Sequence, residues 1–161
     1  MSDEPTADPK TSTFLVTHAD DESAVLKDVH DGQVHTLASN PGLAVNDAVE
    51  GTVTPKPPMA VAWELTEIDD RRSLSIDTSE EPPTAREREL AADQPVGDLT
   101  KQPRAGTGEY HVISVPNDET DAAVADVYDD RETTLSRAAR LGVNRVEIRS
   151  EPGVVSVRYL P

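Results

Sequence analysis

Residues 24–38 read AVLKDVHDGQVHTLA, two runs of alternating apolar and polar residues around His30-Asp31-Gly32-Gln33. A period of two marks a strand with one buried face. Asp-Gly supplies the positive φ that a tight hairpin turn needs. The stretch therefore reads as a hairpin of strands 24–29 and 33–38, with Val29 opposite Val34. The same period continues on both sides. Thr13–His18 carries Phe14 and Val16 on one side, Ala48–Thr54 alternates Val49, Gly51 and Val53 with polar residues, and Met59–Leu65 does the same with Met59, Val61, Trp63 and Leu65. Leu74 and Ile76 mark a possible sixth strand. Asn40-Pro41-Gly42 is a turn, and Pro55, Pro57 and Pro58 break the chain. Five or six short strands separated by turns predict a small antiparallel β-barrel-like module over residues 13–77.

The flanking segments differ in kind. Residues 1–12 (MSDEPTADPKTS) hold two Pro, three acids and nothing to bury, and read as a disordered acidic tail. Residues 78–108 read as a polar connector. In it Thr84-Ala85-Arg86-Glu87 forms a capping box that starts a short helix to about Asp93. With only Leu90 and Ala91 as an apolar stripe, that helix is expected on the surface. Residues 109–161 change period: a strand over Glu109–Val115, then a helix capped by Asn117 or Asp118 and reaching Leu141. Asp129-Asp130 is the point where it would kink or divide. Gly142 stops it, and Val143–Arg149 pairs with Val154–Tyr159 across Glu151-Pro152-Gly153. The expected class is α+β: a barrel-like module followed by a strand–helix–strand–strand unit.

Charge sets the setting. The chain of 161 residues holds 31 acids and 15 bases, a net of −16, and only four of the bases are Lys. Such a surface suits a concentrated-salt cytoplasm, where a Debye length of about 3 Å at molar salt screens carboxylate repulsion. There is no Cys, so disulfides and thiol chemistry are excluded. No apolar run approaches the roughly 20 residues that span a bilayer, and the N-terminus lacks a basic start and an apolar stretch. The expectation is a cytoplasmic protein with no membrane partner.

Two resemblances follow from these residues. Asn46–Val53 (NDAVEGTV) resembles strands of OB-type and S1-like barrels, where an acidic turn leads into Val-x-Gly-x-Val. TFLVT (13–17), SAVLKDVHDGQVHTL (23–37), PMAVAW (58–63), QPVGDL (94–99) and VVSVRYLP (154–161) together resemble a family of uncharacterised haloarchaeal proteins, a domain of unknown function. That resemblance implies a salt-adapted cytoplasmic protein and brings no activity, cofactor or site residues.

Three constellations are candidate sites. In the predicted hairpin, Asp28, His30, Gln33 and His35 share one face. Two imidazoles and a carboxylate there could take zinc or another divalent metal if His18 or Asp20 supplied a fourth ligand. A solvated hairpin face with a His–Asp hydrogen bond explains the same residues, so no metal or other cofactor is assigned. In the C-terminal unit, Arg137, Arg140, Arg145, Arg149 and Arg158 form the only surface suited to phosphate. Residues 103–161 nevertheless carry seven Arg against ten acids. Finally, His111 and the carboxylate clusters Asp20-Asp21-Glu22 and Asp129-Asp130 could be imagined in acid–base work, but no G-x-S-x-G, H-E-x-x-H or Walker motif accompanies them. The reading is a non-catalytic binding or scaffold protein whose partner is a protein. A nucleic-acid-associated module is the alternative, and a metal-dependent or acid–base enzyme is the third.

Overall fold

The computed structural model describes residues 8–57 and 62–161. It divides the chain into two compact units, residues 1–73 and 74–161. The first holds β1 (Lys10–Ala19), β2 (Ala24–Asp28), β3 (Val34–Leu37), β4 (Asp47–Pro55) and β5 (Trp63–Ser73). These close into a barrel in the order β1-β2-β3-β5-β4, with β1 antiparallel to β4 and β3 parallel to β5. Among the described residues β3 and β5 pair at Leu37 and Trp63. A closed five-stranded barrel in this strand order is of the OB type. Alternation fills it as expected, with Phe14, Val16, Leu26, Leu37, Val49 and Val53 forming the buried interior. Gly51 is required by a close approach: a Cβ there would lie 2.2 Å from the Glu67 carbonyl oxygen, where the β4–β5 register slips.

The expected tail ends earlier than residue 12. Lys10, Thr11 and Ser12 pair with Val53, Thr52 and Gly51 as the first rungs of β1, because the barrel needs a partner for the far end of β4. Residues 1–7, and Met59–Val61 of the expected fourth run, lie outside the described residues.

The second unit holds β6 (Ser75–Thr78), α1 (Ala85–Ala92), β7 (Leu99–Pro103), β8 (Glu109–Ser114), a 3-10 turn over Asn117–Glu119, α2 (Thr120–Asp129), α3 (Arg131–Leu141), β9 (Arg145–Glu151) and β10 (Val154–Leu160). Its sheet runs β6-β9-β10-β8-β7, with β6 parallel to β9 and the other pairs antiparallel. The possible sixth barrel strand is therefore β6, paired with β9 instead: Ile76 lies opposite Val146, and Ser75 N–H donates to the Asn144 carbonyl. The connector likewise contains an edge strand, β7. Its alternation is hard to see in sequence because Thr100 and Gln102, not apolar residues, are its half-buried positions.

Helices cover both faces of this sheet. Val146, Ile148, Val155, Val157 and Tyr159 share the face under α2 and α3. Val112, Val154 and Ser156 share the face under α1, where Ala91 packs with Val112 and Val154. The capping box forms as read, Thr84 Oγ1 accepting from Glu87 N–H and Glu87 Oε1 from Thr84 N–H. α1 lies on the surface, five of its eight residues exposed, with Glu87 and Ala91 buried on its inner side. The long helix divides at Asp130, and α3 ends on Gly142 with φ +74°.

Candidate functional site

Asp28 and His35 do come together, but inside the barrel mouth and not on a solvent face. Lys27 pairs with Val34 and Leu26 with His35, two residues away from the expected register. The cause is side-chain capping of the loop. Asp28 Oδ1 accepts from His30 N–H (2.8 Å) and Asp31 N–H (3.3 Å), and Asp31 Oδ1 accepts from Gln33 N–H (2.8 Å). These Asx contacts hold a longer turn, with Gly32 at φ +76°. Asp28 and His35 share the inward face with Leu26 and Leu37, while Val34 points outward. His30 sits exposed in the turn.

A residue assigned to the tail completes the cluster. Lys10 Nζ donates to Asp28 Oδ2 (2.9 Å) and Asp31 Oδ2 (2.6 Å), lies 3.5 Å from Gln33 Oε1, and donates to His35 Nε2 (3.2 Å). An ammonium has no acceptor, so His35 Nε2 accepts and its proton sits on Nδ1. That Nδ1 is buried without a hydrogen-bond partner among the described residues, and the ring stands edge-on to Phe14 and Trp63 at centroid distances of 5.8 and 4.5 Å. Burial, then the Lys10 charge, holds the His35 imidazole below its ordinary range. For Lys10 burial is outweighed by the hydrogen bonds to Asp31 and Asp28, which hold the ammonium above its ordinary value. For Asp28 burial is outweighed by Lys10 and the His30 N–H, so its carboxyl stays low.

The metal candidates Asp28, His30 and His35 are thus not a joint ligand set. The ammonium takes the position facing Asp28 and His35, and His30 is not in the cluster. Asp20, the proposed fourth ligand, caps the β1–β2 turn by accepting from Glu22 and Ser23 N–H at 2.8 Å each, at the other end of β2. Among the described residues no group of three or more His, Asp or Glu side chains is set to hold a metal ion.

The five arginines do not form one stripe. Arg137 stands on α3, over one face of the sheet, and its Nε and Nη2 grip Glu109 Oε2 at 3.0 and 2.7 Å. Arg140 lies exposed near the end of the same helix. Arg145, Arg149 and Arg158 belong to the opposite face. Arg149 pairs with Glu147 and with Glu81 (2.8 Å), and Arg158 pairs with Glu147 (3.2 Å) and Glu87 (3.9 Å). Arg145 Nε reaches the Pro161 carbonyl at 3.4 Å. The face expected to be open is covered by α1, whose buried Glu87 also accepts from Ser156 Oγ. Arg149 and Arg158 side chains are only 15 and 18% exposed.

His111 likewise serves the fold. Its Nε2 bonds Glu109, the carboxylate already held by Arg137, and its ring lies 4.9 Å from that of Tyr159. Burial holds the imidazole low, and burial pushes the Tyr159 phenol up to about 12. Sequence reading missed Lys10 and Glu87. Two signals were available, a Lys among very few and a capping-box Glu that burial recruits.

Fold and clusters together define a two-unit α+β protein, an OB-type barrel followed by a mixed sheet with helices on both faces, in which the buried charges are closed by partners within the chain. The chain belongs to the family of unknown function DUF5812, whose model matches residues 10–150. No curated protein and no solved structure matches it.

Proposed function

We propose that the chain is a non-catalytic binding protein, acting in the cytoplasm of a salt-adapted cell, and that its partner is another protein. The observation that carries this reading is the closure of its buried charges. Arg137, Arg149 and Arg158 are bound by Glu109, Glu147, Glu81 and Glu87, so they contribute structure where a nucleic-acid surface would need free cations. What the chain turns outward is acidic, in keeping with its net charge of −16. Exposed apolar side chains interrupt that acidity, Val34 and Val96 being 60 and 64% exposed. The outer side of β2 and β3, the face on which OB-type barrels bind oligonucleotides and oligosaccharides, here presents Val25, Lys27, Val34 and Thr36, one cation and no aromatic side chain on which a base could stack, a surface better suited to protein contact.

Co-purification tests the reading. Tagged full-length chain, recovered from a salt-adapted host in high salt, is expected to bring down one stoichiometric protein partner that survives nuclease treatment. Recovery of nucleic acid alone would contradict it.

A further inference from the structure

We infer that the groove between α2 and the free edge of β6 is a docking site for an extended basic segment of a partner protein. This inference rests on the protein-partner reading above and gives it a place and a chemistry. Three observations within the second unit converge. First, α2 is poorly covered: its apolar residues Val124 and Val127 are only half-buried and Tyr128 is 37% exposed, whereas α3 buries Leu135, Ala138 and Ala139. Second, β6 ends the strand order, pairing with β9 on one side, so among the described residues its other edge is unpaired. Its Asp77 and Thr78 form one wall of a groove of about 410 Å³ whose other wall is Val124, Ala125 and Tyr128. An unpaired edge beside apolar side chains is the arrangement that accepts an added strand.

Third, charge selects the occupant. The groove carries the Asp121 and Asp129 carboxylates, and a second cleft adjoins it through Asp121 and adds Asp118; Asp77, in register with Glu147, turns its side chain to the other face of the sheet. The Arg131 guanidinium already lies over Tyr128, 5.3 Å from its ring centroid, so the aspartates are what an incoming Lys or Arg would meet, and the ring serves as apolar surface. β6 is four residues long, enough for an occupant of about that length. An extended segment added there turns every second side chain toward α2, so those positions suit an apolar residue against Val124 flanked by cations on Asp121 and Asp129.

The probe is a fluorescein-labelled peptide of the repeat Lys-Thr-Val-Thr (the Lys–Val peptide), which presents Lys and Val on one face, titrated with the full chain and read by anisotropy, with the repeat Glu-Thr-Val-Thr (the Glu–Val peptide) as control. Saturable binding of the Lys–Val peptide alone is expected. It should weaken at least tenfold in Asp121→Asn/Asp129→Asn and in Tyr128→Ala, and stay unchanged in Asp20→Asn/Asp21→Asn, with circular dichroism confirming that each variant folds. Equal weakening by the Asp20/Asp21 pair would overturn the proposal, reducing it to diffuse attraction. Amide shifts confined to the barrel would also overturn the groove, while leaving the protein-partner reading in place. No saturable binding of the peptide would overturn the groove as well, the general reading then being decided by co-purification.

Discussion

Lys10 is a surface residue by every sequence criterion and an interior one by contact. Its ammonium joins the start of β1 to the β2–β3 turn through Asp28, Asp31 and His35. Lys10→Met leaves Asp28, 2% exposed, as a buried carboxylate without its cation. That should cost about 3 kcal/mol in a urea denaturation series, and adding Asp28→Asn should restore part of it. An unchanged midpoint would mean that water replaces the ammonium freely. The histidines set a pH limit. His35 and His111 both titrate below the ordinary 6.5 when folded, so the unfolded chain takes up protons first as pH falls. Their contribution is complete above about 6.5 and is lost on the acid side. Asp28 and Glu109, also held low, add a second loss below about pH 4. The expected urea midpoint is flat from about pH 7 to 9 and declines below 6.5. A midpoint that rises on acidification would show that general carboxylate repulsion outweighs these sites.

At the scale of elements, the alternating runs are legible because they line a barrel whose interior is apolar: Phe14, Val16, Val49 and Val53 could be placed from sequence alone. The hairpin register could not, because backbone capping by Asp28 and Asp31 chose the turn, and a shift of two residues preserves the alternation that sequence reading relies on. β7 was hidden for a related reason, its half-buried positions being Thr100 and Gln102. Gly51 offers a test of barrel geometry. A methyl there meets backbone, not a flexible side chain, so Gly51→Ala should cost about 1–3 kcal/mol by thermal unfolding. In the second unit Thr84→Ala removes the cap of α1 and should cost about 1 kcal/mol. A larger loss there would indicate that the buried Glu87, bonded to Thr84, Ser156 and Arg158, depends on the cap for its position.

For the whole molecule, the charge of −16 predicts that stability rises with salt. The urea midpoint in about 2 M KCl should exceed that in about 0.1 M, since repulsion between carboxylates is screened while the close ion pairs persist. The two-part organisation was legible in the change of hydrophobic period, but its boundary was not. Leu74 and Ile76 alternate equally well for either sheet, and only the parallel pairing with β9 assigns them. The arginines were visible as a cluster in sequence, but not their division between two faces, which strand register and α3 set, nor the pairing of Arg137, Arg149 and Arg158 with Glu109 and Glu147. That division is the ground for a protein partner over nucleic acid. The most direct test is to titrate the full chain with a labelled single-stranded oligonucleotide and with the Lys–Val peptide at equal ionic strength. The expected result is saturable peptide binding and no oligonucleotide binding. Saturable oligonucleotide binding abolished by Arg145→Ala/Arg149→Ala would contradict it.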